Sequence, residues 1–161
     1  MYSASALADL HERAHRTLRG LILHCGLLTE EEIRREIPGF GYPSVLEQLD
    51  HAIGAEEYWV SVARGRYKDE EERTPPTTIE SLEEYRRKVA AVTAAYLGET
   101  SDRDLNAPRE MWTWPGKTRT LVPAHLLLRT QTHIYAHTGQ VLAMCRQIGK
   151  PSPGGLDFPL D

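Results

Sequence analysis

Four long segments of the sequence repeat their apolar residues at steps of three and four, the spacing that places side chains on one face of an α-helix. They run from about Ser5 to Leu28, Ser44 to Arg64, Thr77 to Gly98 and Leu121 to Ile148. Because each helix has one apolar face to bury, the pattern predicts that the four pack against one another. The predicted fold class is therefore all-α, a four-helix bundle.

The connections between these segments carry the remaining predicted elements. Thr29 followed by three glutamates is typical of a helix N-terminus and predicts a short extra helix. Residues 66–76 are charged and end in two prolines, which favours a solvated loop. The connection before the last long helix is irregular, and the runs flanking Pro115-Gly116 predict a hairpin within it. The tail from Pro151 is rich in Pro and Gly and is predicted to lie extended over the bundle.

Length and composition limit the classes of function. A chain of 161 residues fits a single domain, residues 1–161. Its 19 basic and 23 acidic side chains give a net charge of −4, which argues against nucleic-acid binding. No run of apolar residues is long enough to span a membrane. With only two cysteines, the sequence predicts a cytoplasmic protein with reduced thiols.

Polar side chains interrupt the apolar face of the last long segment. Its inward positions follow steps of four and three, and two histidines and a glutamine occupy the middle of that row: Leu126, Thr130, His133, His137, Gln140, Met144 and Gln147. A buried imidazole whose ring nitrogens lack partners costs about 1–3 kcal/mol. The pattern therefore predicts partners for both histidines inside the bundle.

A metal ion is one such partner. His133 and His137 are four residues apart, so both rings can reach a single point in front of the helix, as in helical zinc sites. His51, at the edge of the wide inner face of the second long segment, is the candidate third ligand. Three imidazoles suit Zn, Ni, Co or Fe, and three protein ligands leave a position open, as in catalytic sites.

Glu56 is a second anomaly, because it lies near the centre of the apolar arc of its helix. A carboxylate there is expected to pair with a cation, to accept hydrogen bonds or to be protonated. Its candidate roles are to orient a ligating histidine or to act as a general base. Gln140, one turn beyond His137, is expected to support a ligand or to contact substrate. The alternative without metal is a buried hydrogen-bond network that joins His133 and His137 to Glu56, Gln140 and Thr130.

Three further features are given structural interpretations. His11 and His15 are also four apart, but His15 is predicted to point toward solvent, which favours a solvated pair over a second metal site. Cys25 lies on the core face of its helix and is expected to pack as a small hydrophobic residue. The Trp112 and Trp114 pair is expected to pack over the bundle or to form a dimer contact.

Three stretches of the sequence together resemble the DinB-like (YfiT-like) family of metal-dependent four-helix-bundle proteins. They are Leu49-Asp50-His51 with Glu56-Glu57-Tyr58-Trp59, then His133-Ile134-Tyr135-Ala136-His137-Thr138-Gly139-Gln140, then Ile148-Gly149-Lys150-Pro151. The resemblance spans nearly the whole chain. Members often carry Arg before the Gly-Gln pair, where this chain has Thr138.

The resemblance implies a homodimer and a triad of His51, His133 and His137 that binds a divalent metal, commonly nickel or zinc. Characterised relatives include bacillithiol S-transferases and a mycothiol-dependent maleylpyruvate isomerase. The first hypothesis is therefore an enzyme of the thiol S-transferase type, in which a metal-activated low-molecular-weight thiol attacks an electrophilic small molecule, with Glu56 and Gln140 as candidate catalytic or supporting residues. The alternatives are a metal-dependent hydrolase, a non-catalytic metal-binding stress-response protein, and a bundle without metal.

Overall fold

The computed structural model describes residues 1–66, 74–114 and 116–161. Within these ranges the chain forms four long helices, two short ones and a hairpin, which confirms the predicted all-α bundle. The elements are α1 (Ala4–Cys25), α2 (Glu30–Arg34), α3 (Val45–Ala63), α4 (Ile79–Glu99), α5 (Asp102–Asn106), β1 (Arg109–Thr113), β2 (Lys117–Leu121) and α6 (Pro123–Ile148). Most of the predicted loop, residues 67–73, and Pro115 of the predicted turn lie outside the described residues.

Hydrogen-bonding side chains set where the helices begin. Ser44 caps α3 in a reciprocal capping box with Glu47, and Thr29 does the same for α2 with Glu32. Pro123 occupies the first turn of α6, where its missing N–H breaks no helical bond. The first helix ends at Cys25, three residues before the predicted end, and Gly26 follows as its cap.

The core lies between the four long helices. Helix α3 packs most extensively against α6 and also contacts α4, while α1 packs against α4 and α6. The fully buried side chains that join α3 to α6 include Leu49, Ile53, Ile134 and Val141. This packing places the inner face of α3 directly opposite the polar row of α6.

The hairpin and the tail close the outside of the bundle. Strands β1 and β2 pair antiparallel with Trp112 opposite Thr118, and Met111 is buried beneath them. Trp112 and Trp114 remain 53% and 62% exposed. The tail lies along α1, where Thr17 Oγ1 donates a hydrogen bond of 2.9 Å to the Asp157 carbonyl.

No helix in the described part of the chain combines the length and apolar character needed to cross a bilayer.

The end of α6 provides a test of backbone conformation. Gly149 closes the helix at φ +84°, whereas Gly98 lies inside α4, and a Cβ at either position meets no atom within 4 Å. We expect Gly149→Ala to lower the free energy of unfolding by about 1 kcal/mol, because alanine disfavours the left-handed region. Gly98→Ala is the matched control and should raise it by up to about 1 kcal/mol. Urea titration of both variants measures the difference, and equal effects would contradict it.

Candidate metal centre

The structure brings His51, His133 and His137 together, and we call them the histidine triad. His51 comes from α3, and the other two lie one turn apart on α6. One ring nitrogen from each lies within 4.8 Å of the others. The Nε2 atoms of His51 and His133 are 3.1 Å apart. These three side chains are arranged as the spacing predicts for a shared ligand.

A buried amide fixes the orientation of His137. Gln48, one turn before His51 on α3, is fully buried, and its Oε1 contacts His137 Nδ1. Its Nε2 donates to the Tyr42 carbonyl and to Gln140 Oε1, both at 2.9 Å. These two acceptors fix which end of the amide carries oxygen, so Nδ1 of His137 must be the donor. Nε2 of His137 therefore keeps its lone pair and is free to bind an ion.

Tyr42 covers the other side of the triad. Its ring stacks on His51 with centroids 3.8 Å apart and an interplanar angle of 19°. Tyr42 belongs to the connector before α3, so the same short segment accepts a bond from Gln48 and holds the His51 ring. The connector thus orients two of the three imidazoles, one directly and one through Gln48.

The triad is held in its neutral form. Burial, followed by the charges of His133 and His51, lowers the pKa of His137 to about 4. Burial also lowers the pKa of His51, although Asp50 acts in the opposite direction. The pKa of His133 is lowered by burial and then by the positive charges of His51 and Arg129. At neutral pH each ring is therefore neutral, with an N–H group on one nitrogen and a lone pair on the other.

The donor set fits a divalent transition metal. Two Nε2 atoms at 3.1 Å require a proton or a cation between them, because two facing lone pairs repel. Neutral imidazoles are the usual ligands of Zn, Ni, Co and Fe. Within the described residues three protein ligands meet here, so an ion held by them would have room for a further ligand.

Glu56 is placed in a separate cluster, the Glu56 network, formed with His11, His15 and Thr93. His11 Nε2 lies 2.9 Å from Oε1, His15 Nε2 lies 2.8 Å from Oε2, and Thr93 Oγ1 donates to Oε1 at 2.6 Å. None of the described hydrogen bonds of Glu56 reaches the histidine triad. Its carboxylate thus joins α3 to α1 and α4 instead.

The prediction of a solvated His11–His15 pair is wrong. Each histidine is only 5% exposed, because the buried carboxylate of Glu56 requires donors from the facing helix. Sequence periodicity places His15 outside the apolar face of α1, but it does not reveal that a charged group lies opposite.

The Glu56 network also has three metal-binding side chains within reach of one ion. The proton positions favour hydrogen bonds instead. Arg86 Nη1 lies 3.3 Å from His15 Nδ1, and because a guanidinium only donates, Nδ1 is the acceptor. In the neutral ring Nε2 then carries the hydrogen and donates it to Glu56. If His15 bound an ion through Nε2, its hydrogen would have to lie on Nδ1, and the hydrogen bond from Arg86 to Nδ1 would be lost.

The balance of effects on Glu56 keeps it ionised. Burial alone would raise its pKa, but the hydrogen bonds from His11 and His15 outweigh burial and hold the pKa of Glu56 far below its usual range. A buried carboxylate with three donors is thus a stable anion.

Comparisons with known proteins agree with the fold. The model of the DinB family matches residues 10–161. The chain belongs to the DinB family. A crystal structure of a DinB-like protein from Bacillus cereus aligns with a TM-score of 0.74 at 21% identity, over 96% of this chain and 99% of that one, which shows a shared fold. No curated protein matches the chain.

In this DinB-family chain, the sequence singled out the triad and Gln140 but not Gln48 or Tyr42. Gln48 could have been found from its spacing, three residues before His51 on the same face. Tyr42 lies in a turn-rich connector, and no periodicity indicates which way its ring points. Gln140 Oε1 accepts a hydrogen bond from Gln48, so among the described hydrogen bonds Gln140 is linked to His137 through Gln48.

The two cysteines are buried in the core, as expected for Cys25. A hydrogen bond with Cys145, followed by burial, raises the pKa of the Cys25 thiol. Cys25 therefore behaves as a packed thiol rather than an activated nucleophile.

The Glu56 network predicts a pH-dependent stability. Glu56→Gln should lower the free energy of unfolding by about 3 kcal/mol at pH 7, because the amide cannot accept from all three donors. The lowered pKa of Glu56 stabilises the fold above the unfolded value of about 4.3, and this contribution is lost as the pH falls further. The deficit of the variant should therefore shrink below about pH 4.

Urea titrations from pH 7 to pH 3 measure that deficit. Glu12→Gln is the matched control, since Glu12 is beside His11 in sequence but is exposed and only 3.8 Å from Arg16. It should change stability little at any pH. A deficit of Glu56→Gln that grows toward low pH would refute the assignment of an ionised Glu56.

Proposed function

We propose that this DinB-family protein is a divalent-metal-dependent enzyme of the thiol S-transferase type. In this proposal a low-molecular-weight thiol loses its proton to solvent, and its sulfur forms a bond to the electrophilic carbon of a small molecule while the leaving group departs from that carbon with the bonding electron pair. The observation that carries the proposal is the convergence of three neutral imidazoles, with His137 oriented through its far nitrogen by Gln48. That orientation leaves its near nitrogen for an ion, an arrangement typical of metal-ligating histidines.

The proposed cofactor is zinc or nickel, held by His51, His133 and His137. Such an ion would supply Lewis acidity that lowers the pKa of a coordinated thiol and so yields a thiolate at neutral pH. The donor set favours this assignment, since it contains no carboxylate and leaves room for an additional ligand.

The chain's own residues have separate roles in the proposal. Gln48 fixes the tautomer of His137, Gln140 supports Gln48, and Tyr42 holds the His51 ring. All three act as positioning residues. Glu56 positions α3, and therefore His51 and Gln48, by bonding α3 to α1 and α4. A homodimer and a cytoplasmic location belong to the same proposal and rest on the sequence resemblance and composition.

Metal content tests the site. Protein prepared without a histidine tag should bind about one equivalent of zinc or nickel, and His133→Ala should lose it, since two imidazoles seldom suffice. Gln48→Leu should weaken binding about tenfold, because His137 loses the partner of Nδ1. His125→Ala is the matched control on the same helix; His125 is exposed and outside the triad.

Elemental analysis and competition with a chromophoric chelator measure stoichiometry and affinity, and circular dichroism confirms that each variant is folded. If wild-type protein takes up neither ion at neutral pH, the triad is a hydrogen-bonded cluster. If His125→Ala loses metal as well, the ion is bound elsewhere.

Activity tests the reaction. Metal-loaded protein should accelerate transfer of a small thiol such as cysteine to an alkylating electrophile by at least about tenfold over His133→Ala, the gain expected when a thiol pKa falls from about 8.5 toward 7. The rate of thiol consumption measures it. Turnover of an ester without thiol would replace the proposal with hydrolysis. No turnover of either kind, with a lower melting temperature after chelation, would indicate a non-catalytic metal protein.

A further inference from the structure

Arg129 continues the row of functional side chains on α6. It lies four residues before His133, which is itself four before His137, so the three follow one another at intervals of about 6 Å along one side of the helix. Its guanidinium carbon lies 5.4 Å from the centroid of the Trp59 ring. Trp59 follows His51 by two turns on α3. The same two helices that supply the triad thus place a cation one turn away from it.

The charge of Arg129 is not neutralised by the described part of the chain. Helix α6 contains no Asp or Glu, so Arg129 has no partner three or four residues away. Arg13, Arg16 and Arg86, by contrast, each pair with an acidic residue of their own helix. Within residues 1–66, 74–114 and 116–161, no carboxylate forms an ion pair with Arg129.

The guanidinium is close enough to act on the triad. Its positive charge is among the causes that lower the pKa of His133. The cation–π contact with Trp59 holds the guanidinium beside the ring, and the Arg129 side chain is otherwise exposed. Between His51 and Trp59 on α3 stands Ala55, whose small side chain is half-buried and occupies little space on that row.

We propose that Arg129, held by Trp59, is an anion-binding subsite that takes the carboxylate of a small ligand whose other end reaches the histidine triad. The inference rests on the proposed function and names a substrate class for it: small thiols, or their acceptors, that carry a carboxylate about one helical turn from the reacting group. A planar guanidinium matches a carboxylate through two parallel hydrogen bonds, which is why arginine rather than lysine suits this position.

Two thiols of nearly equal size test the subsite. In cobalt-loaded protein, 3-mercaptopropionate and 3-mercapto-1-propanol are titrated, and the sulfur-to-cobalt absorption band reports binding of each. Wild type should bind the acid more tightly by about tenfold, the effect of one exposed charge-assisted contact. Arg129→Ala should abolish that preference and leave the affinity for the alcohol and the cobalt content unchanged. Arg129→Lys should keep part of it.

Arg146→Ala is the matched control, since Arg146 is an exposed arginine near the other end of α6. It should behave as wild type. Equal affinities for the two thiols in wild type, or an unchanged preference in Arg129→Ala, would overturn the subsite while leaving thiol binding intact.

Failure of the proposed function gives a different result. If neither thiol produces the absorption band, thiol activation is wrong, and the subsite is then judged by calorimetry with 3-hydroxypropionate and 1,3-propanediol on the same protein. A preference for the acid that Arg129→Ala removes would sustain the subsite. The absence of that preference would overturn it.

Discussion

The position of α3 in the bundle depends on one buried carboxylate. Glu56 accepts hydrogen bonds from two histidines of α1 and from a threonine of α4, so one side chain fixes three helices against each other. A buried charge of this kind is stable only when its donors are in place. Because His51 and Gln48 lie on the same helix, less than three turns away, the geometry of the triad follows from how this carboxylate is satisfied.

Two pairs of histidines with the same spacing acquire opposite chemistry from what faces them. His11 and His15 on α1 face a carboxylate, whose oxygens accept hydrogen bonds from their Nε2–H groups. His133 on α6 faces the imidazole of His51, and His137 faces the amide oxygen of Gln48, which leaves Nε2 of His137 with its lone pair. A spacing of four residues places two imidazoles together in both cases. The partner across the helix interface decides whether the pair donates hydrogen bonds or keeps a lone pair available for a cation.

This contrast explains how far the sequence could predict the site. The apolar periodicity of four segments was sufficient for the bundle, and the polar interruption on α6, together with His51, was sufficient to name the three imidazoles that the structure brings together. Glu56 was recognised as anomalous from its helical position, but its partners could not be identified. His15 lies beyond the apolar arc of α1, so only the packing of α1 against α3 and α4 reveals that it is buried. The position of the Tyr42 ring is set by the connector before α3, and no periodic pattern predicts the path of that connector.

The electrostatics of the centre favour an anionic ligand. Three neutral imidazoles contribute no negative charge, so a divalent ion bound to His51, His133 and His137 would keep its full double charge there, and Arg129 adds a further positive charge one turn away. In the Glu56 network the carboxylate accepts hydrogen bonds from His11, His15 and Thr93, so its negative charge is compensated within that network. An anion entering the bundle from the side of Trp59 would therefore meet attraction at both Arg129 and the triad. With an ion bound, a thiolate or carboxylate would be stabilised there relative to its protonated form, whereas a cationic ligand would be repelled.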